Sequence, residues 1–386
     1  MFSRRTDWNL SLNPFAAALA EAKEQGAQVL DLTASNPAQV GLRPDAEAVL
    51  RALANPIAME YDPQPRGLLS ARQAVARYYA EQHGISDLDP QHIVLTTSTS
   101  EAYSFVMRLL CDPGDEIVVP RPGYPLFEFL ADILDLKLVS YPLFYDHGWQ
   151  LDLYSLEKLI TERTRAVVVV HPNNPTGSFV KPGERDDLNA LCRQHSMALI
   201  ADEVFLDYPH DAVARASFVS NPAALTFTLS GLSKISALPQ MKFAWVATSG
   251  PPSLVEPALS RLEVIADTYL SMNAPVQLAA PVLLQQRTRV QAQLMDRVRQ
   301  NLGELDAQLA AKLAVVRLQV DGGWYAVLRV PVLQTDEQLA IQLLRQARVA
   351  VHPGHFYGFE DGYLVLSLIV PQQDFRDGVA RILRHL

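Results

Sequence analysis

Residues 165–177, RAVVVVHPNNPTG, join an apolar run to a rigid turn. Four consecutive valines are β-branched, and an uninterrupted apolar run of this length is typical of a strand buried on both faces of a parallel sheet. The turn that follows contains prolines and two asparagines, and such a turn can aim one amide side chain at a fixed point. The stretch therefore predicts a central strand that ends in a loop able to carry function.

The pattern of a strand followed by a helix recurs on both sides of this stretch. Further strands are predicted at 93–96, 116–119, 137–141, 198–201 and 226–229, with helical patterns at 67–82, after Ser98 and at 125–134. Strands that alternate with helices across 90–250 predict an α/β class fold with a mostly parallel, doubly wound sheet of seven strands. In such sheets ligands bind beyond the carboxyl ends of the strands.

The chain is long enough for two domains at 386 residues. We expect an N-terminal arm and part of a small domain at 1–45, a large domain at 46–285, and the rest of the small domain at 286–386. A helix at 14–25, a strand at 29–32 and strands near 316–320, 324–330, 349–352 and 363–369 suggest that the small domain is α+β.

Composition excludes several classes of protein. A net charge of −9 and the absence of a Lys/Arg run argue against nucleic-acid binding. The sequence contains no window of about twenty uncharged apolar residues, so no membrane span is predicted. The start, MFSRRTDWNLSLNP, lacks the apolar core of a secretory signal, and two cysteines, Cys111 and Cys192, provide neither a disulfide framework nor a zinc site. We expect a cytoplasmic protein without a metal.

One lysine stands out in residues 226–245, TFTLSGLSKISALPQMKFAW. Lys234 lies between small and hydroxyl residues in an apolar stretch, where burial would lower its pKa. A lysine with a lowered pKa is a nucleophile that can form an imine with a carbonyl. The alternative is a solvated lysine on a Ser/Gly-rich loop, which is the usual place for a lysine.

Other candidates follow the predicted strands. Ser98, Thr99 and Ser100 open a helix, whose free N–H groups and positive dipole end can bind an anion, although an ordinary helix cap explains such a run equally well. Glu101 completes a capping box with Ser98. Asp202 follows a buried strand, so its carboxylate needs a partner such as a protonated ring nitrogen or a cation, and a structural ion pair is the alternative.

The two remaining candidates lie in proline-rich turns. Asn174 can be aimed by the turn at 171–177, and Tyr124 is held in a stiff turn where it can stack on a ring. Ordinary turn chemistry and core packing are the respective alternatives. Taken together, an anion site, a stacking aromatic, an amide, a buried carboxylate and a reactive lysine describe how an enzyme holds pyridoxal phosphate.

At these residues the chain resembles the pyridoxal-phosphate-dependent class I/II aminotransferases of fold type I. The resemblance extends over nearly the whole chain, and its landmarks are SNP (35–37), the segment 61–67, TSTSEA (97–102), DPGDEIVVPRPGYP (112–125), HPNNPTG (171–177), ADEV (201–204), SGLSK (230–234) and HPG (352–354). It implies a fold similar to that of aspartate aminotransferase.

The resemblance also implies roles for individual residues. Lys234 would form a Schiff base with the cofactor and move the substrate proton, and Asp202 would keep the ring nitrogen protonated. Asn174 would bond the ring hydroxyl, Tyr124 would stack on the ring, and the phosphate would be held by Ser98, Thr99, Ser100 and Ser230. Tyr61 would reach the phosphate of a neighbouring subunit, and 271–273 would border that subunit's site, which implies a homodimer with shared sites. Asn36, Trp324 and Arg329 are candidate substrate residues.

Three residues depart from the family pattern. Lys242 stands where an arginine usually binds the phosphate, and Phe205 stands where many members have a tyrosine that donates to the ring hydroxyl. Tyr208 could replace that donor only if its loop bends inward. Val365 stands where the family has the arginine that binds the substrate carboxylate. The possible replacement cations are Arg66, Arg121, Arg329 and His355; alternatively, the substrate lacks an ordinary α-carboxylate.

The resemblance predicts an aminotransferase that moves an amino group between an amino acid, or an amine, and a keto acid. The second interpretation, which the missing arginine strengthens, is a pyridoxal-phosphate-dependent lyase, decarboxylase or related carbon-centre enzyme on the same fold. A non-catalytic, regulatory protein that binds the cofactor is disfavoured, because Lys234, Asp202 and Asn174 are retained and no DNA-binding module is attached.

Overall fold

The structure is a computed structural model that describes residues 1–210 and 216–386. Its helices are α1 (Pro14–Glu24), α2 (Ala46–Leu53), α3 (Leu69–His83), α4 (Thr99–Leu110), α5 (Leu126–Leu134), α6 (Leu153–Leu159), α7 (Pro182–Gln194), α8 (Leu232–Ile235), α9 (Pro252–Tyr269), α10 (Ala274–Gln285), α11 (Arg287–Leu309), α12 (Asp336–Gln342) and α13 (Gln372–His385). A π-helical turn at Leu343–Ala347 extends α12.

The strands form three sheets. They are β1 (Leu30–Asp31), β2 (Ile93–Thr96), β3 (Glu116–Arg121), β4 (Lys137–Tyr145), β5 (Trp149–Leu151), β6 (Thr164–Val170), β7 (Ala198–Asp202), β8 (Thr226–Gly231), β9 (Ala244–Ser249), β10 (Val316–Arg317), β11 (Tyr325–Arg329), β12 (Val349–Ala350), β13 (His352–Pro353) and β14 (Tyr363–Ser367).

The large sheet has the strand order β2-β9-β8-β7-β6-β3-β4-β5. Strands β4, β3, β6, β7 and β8 are parallel to one another, while β9 runs antiparallel between β8 and β2. This confirms the mostly parallel, doubly wound sheet; its seven strands are joined by β5, which pairs antiparallel with β4.

Both faces of this sheet are covered. Along β6, Val167 and Val169 pack into the core on one side, whereas Ala166, Val168 and Val170 pack into the core on the other. An alternating strand would need only one apolar face, so two packed faces explain why the sequence of β6 is apolar without interruption.

A smaller sheet contains β10-β11-β14-β13, all antiparallel. The strands predicted near 316–320, 324–330 and 363–369 are confirmed with shorter bounds, whereas the strand predicted near 349–352 divides into β12 and β13, of which only β13 belongs to this sheet. Strand β1 pairs parallel with β12, so that Leu30 lies opposite Val349. This pairing joins the N-terminal segment to the C-terminal third of the chain.

Some local predictions were wrong in position. Strand β4 continues to Tyr145, four residues beyond its predicted end at 141, because β5 pairs with its last three residues. Helix α3 begins at Leu69 and not at 67, because Gly67 has φ +86° and belongs to the turn before it. A Cβ atom at this position would lie 2.5 Å from the side chain of Leu95, so the turn also needs glycine for close packing.

Within the described ranges, no helix combines the length and the apolar character needed to cross a membrane.

Candidate active site

The candidate residues follow strands whose ends are aligned. Asp202, the last residue of β7, lies opposite Val170 at the end of β6 and opposite Leu229 near the end of β8. At the other side of β8, Ala244 at the start of β9 pairs with both Gly231 and Thr96. The loops after β2, β6, β7 and β8 therefore leave the same edge of the sheet, as predicted.

Lys234 lies in the four-residue helix α8, which directly follows β8. Burial lowers the pKa of its ammonium to about 8, and the negative charge of Asp202 partly opposes that shift. The Nζ atom is 5.1 Å from the centroid of the Trp324 ring and 5.5 Å from that of Phe205. The solvated-lysine alternative is therefore wrong, and an amine with this pKa is partly neutral near pH 8.

Asp202 is enclosed at the end of β7. Burial raises the pKa of its carboxyl to about 6, while three groups that stabilise the carboxylate oppose that rise. The Val204 N–H donates to Oδ1 at 3.1 Å, the Tyr103 hydroxyl donates to Oδ2 at 3.0 Å, and Lys234 supplies a positive charge. The carboxylate is thus oriented by two hydrogen bonds and is ionised above pH 6.

Tyr103 was not predicted as a site residue. It lies four residues after Thr99 in α4, so that both side chains share one face of the helix. This spacing is the signal that could have identified it, because the predicted anion site already placed the start of α4 in the site.

The two adjacent asparagines have different environments. The Asn173 side chain accepts a hydrogen bond from the Thr176 hydroxyl at 3.0 Å and donates to the Pro122 carbonyl at 3.4 Å. The Oδ1 atom of Asn174 is buried, and no residue within 1–210 or 216–386 donates a hydrogen bond to it. A buried amide oxygen without a partner is costly, so Asn174 is suited to bond a ligand.

The start of α4 has the predicted N-cap at Ser98, but the return bond of the predicted capping box goes from Thr97 and not from Ser98. The Ser98 hydroxyl accepts from the Glu101 N–H at 3.2 Å, while the Glu101 carboxylate accepts from the Thr97 N–H at 2.7 Å. The helix geometry leaves the N–H groups of Thr99 and Ser100 without an intrahelical carbonyl partner. These two groups, and the positive end of the helix dipole, can bind an anion.

Two more predicted anion ligands lie at the same edge. Ser230 precedes the last residue of β8 and is buried. Lys242 is exposed, two residues before β9, and Ala244 at the start of β9 pairs with the ends of β2 and β8. The antiparallel direction of β9 therefore places Lys242 at the edge that also carries the start of α4 and Lys234.

The aromatic candidates surround this edge. Burial raises the pKa of the Tyr124 hydroxyl, and the nearby charge of Asp202 raises it further. Phe205 and Trp324 are buried and pack edge to face, with 4.8 Å between their ring centroids. The structure thus brings Tyr124, Phe205 and Trp324 to Asp202 and Lys234.

Tyr208 does not replace the hydroxyl that Phe205 lacks. Its hydroxyl donates to the main-chain carbonyl of Lys234 at 2.6 Å. The loop does bend Tyr208 inward and bury it completely, but the hydroxyl is engaged with the backbone.

Two further candidates lie elsewhere or have other partners. The Asn36 side chain accepts from the Ala38 N–H at 3.0 Å and caps a short turn. Tyr61 is 86% exposed and lines a 420 Å³ cavity with Ser271 and Met272, not with Lys234. Tyr61 thus lies outside the Lys234 site of its own chain. We would expect this position for a residue that contributes to the site of a second subunit.

Val365 is buried in β14 and is 1% exposed. Of the four cations considered as replacements for an arginine there, Arg66 is paired with Glu263 at 2.6 Å and His355 with Asp336 at 2.8 Å. These two replacements are therefore disfavoured by the structure.

Arg121 and Arg329 line a separate cavity of 490 Å³ against β4. Arg329 is the last residue of β11 and pairs with Tyr363, two residues before Val365, so its side chain lies on the same face of the small sheet as Val365. The substrate role predicted for Arg329 stays a prediction.

Comparison with known proteins identifies a family over most of the chain. Residues 27–382 match the model of the family described as aminotransferase class I and II. The chain is 30% identical over 345 residues to an alanine aminotransferase of Mycobacterium tuberculosis, a match that covers 87% of this chain and 80% of that protein. It is 32% identical over 271 residues to the glutamate-pyruvate aminotransferase AlaA of Escherichia coli, with 69% and 66% covered.

Solved structures show the same fold. The alanine aminotransferase of Pyrococcus furiosus superimposes with a TM-score of 0.90 at 22% identity, covering 100% of this chain and 99% of that one. An aspartate aminotransferase variant of Thermus thermophilus gives a TM-score of 0.87 at 24% identity, with both chains covered fully. The predicted similarity to the aspartate aminotransferase fold is confirmed.

Proposed function

The chain belongs to the class I and II aminotransferase family and is a transaminase, and we propose that it works with pyridoxal phosphate bound at Lys234. The observation that supports this most is the pair formed by Lys234 and Asp202, a half-buried amine with a lowered pKa beside a half-buried carboxylate with a raised one. Neither pKa shift stabilises the fold, because each reflects the cost of removing a charge from water. Groups with such shifts cluster at functional sites.

The donor set fits this cofactor. The start of α4, Ser230 and Lys242 would hold the phosphate, since they offer N–H groups, a hydroxyl and a cation at one edge. Asn174 has a buried amide oxygen without a partner in the described ranges and would bond the ring hydroxyl. Asp202 would face the ring nitrogen, and Tyr124 would stack on the ring.

When bound, pyridoxal phosphate supplies a carbonyl carbon for the amino group and a ring that accepts electrons from the substrate carbon. Lys234 moves the proton: with a pKa of about 8, its Nζ atom can accept a proton and release it near neutral pH. Asp202 is ionised above pH 6 and can hold a proton on a ring nitrogen, while Tyr103 and the Val204 N–H keep its carboxylate in place. Phe205 and Trp324 exclude water from this side of Lys234.

We also propose a homodimer with shared sites. Exposed apolar side chains, among them Ile57, Met59, Tyr61 and Leu270, surround or lie near the 420 Å³ cavity that Tyr61 lines. Such a patch is typical of a protein interface. In the dimer, Tyr61 would reach the phosphate of the partner subunit, and residues 271–273 would border that subunit's site.

Two further predictions stay proposals. The two-domain division at 45 and 285 is supported by the separate large and small sheets. A cytoplasmic location is supported by Cys111 and Cys192, both of which are free thiols.

The cofactor is tested by absorbance and by covalent trapping. The purified protein with added pyridoxal phosphate is expected to be yellow, and borohydride reduction should attach the cofactor to the peptide that contains Lys234. Lys234→Ala should lose both signals, whereas Lys312→Ala, at an exposed lysine of the small domain, should keep them. A wild type that stays colourless with added cofactor would contradict the proposal.

The reaction is tested by mixing the yellow protein with single amino donors. Conversion of the bound cofactor to its aminated form by a donor, and back by a carbonyl acceptor, is the expected result. Release of carbon dioxide or of an elimination product, without that conversion, would favour a lyase or a decarboxylase instead.

A further inference from the structure

A buried network of polar side chains lies behind helix α8. The Asp207 carboxylate accepts a hydrogen bond from the Tyr78 hydroxyl at 3.0 Å through Oδ1, and Nε2 of His83 is 3.0 Å from the same oxygen. Its other oxygen, Oδ2, accepts from the Gln291 amide at 2.6 Å. The Gln291 amide also donates to the carbonyl of Ile235 at 3.0 Å. We call Tyr78, His83, Asp207 and Gln291 the Asp207 network.

The direction of each hydrogen bond follows from its partner. The Gln291 side chain faces a carboxylate and a carbonyl, both of which only accept, so its nitrogen must face them and donates one hydrogen to each. Burial raises the pKa of the Tyr78 hydroxyl well above its ordinary value, and the charge of Asp207 raises it further, so this hydroxyl keeps its proton and donates to Oδ1. The Tyr78 oxygen can then accept from the Nε2–H group of His83, at 3.1 Å. Both oxygens of the carboxylate therefore have donors.

The network is closed to solvent. The side chain of Asp207 is 0% exposed and that of His83 is 6% exposed. Tyr78 and Gln291 are buried as well. Hydrogen bonds in such a site do not compete with water, so they hold the groups that they join in one geometry. A buried pair of this kind often adds little to stability compared with apolar residues of the same size, so the fixed geometry is its main physical effect.

The network ties a short helix to two long ones. Tyr78 and His83 belong to α3, which has 15 residues, and Gln291 belongs to α11, which has 23. Helix α8 has four residues and carries Lys234. A helix of four residues has little stability of its own, so its position is set by the elements that it contacts.

Two consecutive carbonyls of α8 are held by residues 207 and 208. Tyr208 donates directly to the carbonyl of Lys234, at 2.6 Å. Asp207 holds the Gln291 amide, which donates to the carbonyl of Ile235. The two peptide groups that follow the Lys234 Cα atom are thus bonded to side chains from outside the helix. The direction in which the Lys234 side chain leaves the backbone depends on both.

We infer that Asp207 and Gln291 are positioning residues for Lys234. Gln291 acts through the carbonyl of Ile235, and Asp207 acts through Gln291. This inference rests on the proposed function, in which the Nζ atom of Lys234 must reach both the cofactor and a substrate proton. Because a displacement of about 1 Å can lower a catalytic rate by about 100-fold, hydrogen bonds that lie away from Nζ can still control the reaction.

The first test uses the protein from which the cofactor has been removed. Competitive labelling with acetic anhydride, read by mass spectrometry across a series of pH values, measures the pKa of the Lys234 amine against that of the exposed Lys312. Gln291→Met keeps the size of the side chain and removes both donated hydrogen bonds. We expect the pKa of Lys234 to rise by about 0.5–1 unit in this variant, because a displaced amine regains part of its hydration.

Asn301→Leu is the matched control. Asn301 lies on the same helix, is buried, and donates to the carbonyls of Leu368 and Val370, both at 2.8 Å. Leucine removes these two bonds in the way that methionine removes those of Gln291. Both variants should lose stability to a similar extent in urea unfolding, but only Gln291→Met should change the pKa of Lys234.

Variants of Asp207 test the second step. Asp207→Leu leaves the Gln291 amide with one acceptor and should raise the pKa of Lys234 as Gln291→Met does. In Asp207→Asn the amide oxygen can still accept from Gln291 while the N–H₂ group faces the Tyr78 oxygen, so the rise should be smaller than with leucine. Because both residues act through one chain of bonds, the double variant Asp207→Leu/Gln291→Met should show the shift of one single variant and not the sum of two.

The second test measures the protein loaded with pyridoxal phosphate. At saturating amino donor, conversion of the bound cofactor to its aminated form should be about 10-fold slower in Gln291→Met, with a smaller change in KM and in the affinity for the cofactor. Asn301→Leu should keep the rate of the wild type.

The outcomes separate this inference from the proposed function. An unchanged Lys234 pKa and an unchanged rate in both Gln291→Met and Asp207→Leu would overturn the inference and leave the network with a structural role alone. Equal changes in Gln291→Met and Asn301→Leu would do the same, because the effect would then follow the loss of stability. If the protein binds no cofactor, the proposed function fails, and labelling of the cofactor-free protein still decides whether the network positions Lys234. If Asp207→Leu does not fold, Gln291→Met and Asp207→Asn decide.

Discussion

The hydroxyl of Tyr208 donates a hydrogen bond to the main-chain carbonyl of Lys234, with 2.6 Å between the two oxygens. One residue further, the Gln291 amide donates to the carbonyl of Ile235 at 3.0 Å and to the carboxylate of Asp207 at 2.6 Å. Helix α8 has only four residues and so has little helical stability of its own. Side chains from two other segments therefore hold the backbone that carries the lysine.

Tyr208→Phe should loosen Lys234. We expect a loss of about 1–2 kcal/mol in the free energy of unfolding, because a buried carbonyl loses a partner, and a fall in kcat of about 10-fold with a smaller change in KM. Tyr141→Phe is the matched control, since its hydroxyl donates to the Val168 carbonyl at 3.0 Å in a similarly buried position. If both variants have the same kcat, Tyr208 serves stability alone.

Asp202→Asn should stabilise the cofactor-free protein above pH 6. The folded pKa of about 6 lies above the ordinary value of 3.8, so between these values the folded state binds more protons and stability falls as pH rises. The cost of the buried charge is complete above pH 6. Asparagine removes the charge and keeps one acceptor oxygen for the Val204 N–H, while its amide N–H₂ can donate to the Tyr103 hydroxyl, which then accepts. We expect a gain of about 1–2 kcal/mol at pH 8 that shrinks towards pH 5, measured by urea unfolding.

Asp115→Asn is the control with the opposite sign. A hydrogen bond from Arg165 lowers the pKa of the Asp115 carboxyl, so its charge stabilises the folded state above its ordinary pKa. Removing that charge should destabilise the protein at pH 8. Equal effects of the two substitutions would contradict the assignment of Asp202 as a destabilising buried charge.

Phe205→Tyr should lower the pKa seen in the visible absorbance of the bound cofactor. A hydroxyl at this position can donate to the deprotonated ring oxygen and stabilise the more negative form, and a shift of about 1 unit is the expected size. Phe105→Tyr, on α4 and stacked on Tyr269, should leave that pKa unchanged. An unchanged titration in Phe205→Tyr would show that residue 205 does not face the ring oxygen.

Lys242 should contribute to cofactor affinity through its charge. Lys242→Ala is expected to weaken binding of pyridoxal phosphate by about 10-fold, and Lys242→Arg to strengthen it a few-fold, because a guanidinium can form two parallel hydrogen bonds with a phosphate. Affinity is measured by equilibrium dialysis at fixed ionic strength, with Lys312→Ala as the control. Equal affinity in all four proteins would remove Lys242 from the phosphate site.

The sheet and much of its edge could be predicted from sequence, because they depend on local patterns. The consecutive valines of β6 are apolar and β-branched whatever surrounds them, so the strand can be predicted from its own residues. A turn after such a strand indicates a loop. Lys234, Asp202 and Asn174 each follow such a strand end, so the direction of the parallel strands was enough to bring them together.

Other parts depend on contacts between distant segments. Tyr103 and Tyr357 have ordinary surroundings in sequence, and only the fold places one hydroxyl on Asp202 and the other beside His352. Asn36 was assigned to substrate on the resemblance alone, whereas its amide caps the adjacent turn. Side-chain amides serve their own backbone as readily as a ligand, and the sequence does not distinguish these uses.

The pairing of β1 with β12 has a consequence for biosynthesis. Leu30 leaves the ribosome early, but its partner Val349 is made more than 300 residues later. The same separation applies to the carbonyl of Ala34, which accepts a hydrogen bond from the hydroxyl of Ser367. At about 5–20 residues per second, this delay is tens of seconds at the slower rate. The nascent N-terminal segment is therefore without its native partners during most of translation, and chaperone dependence should be greatest there.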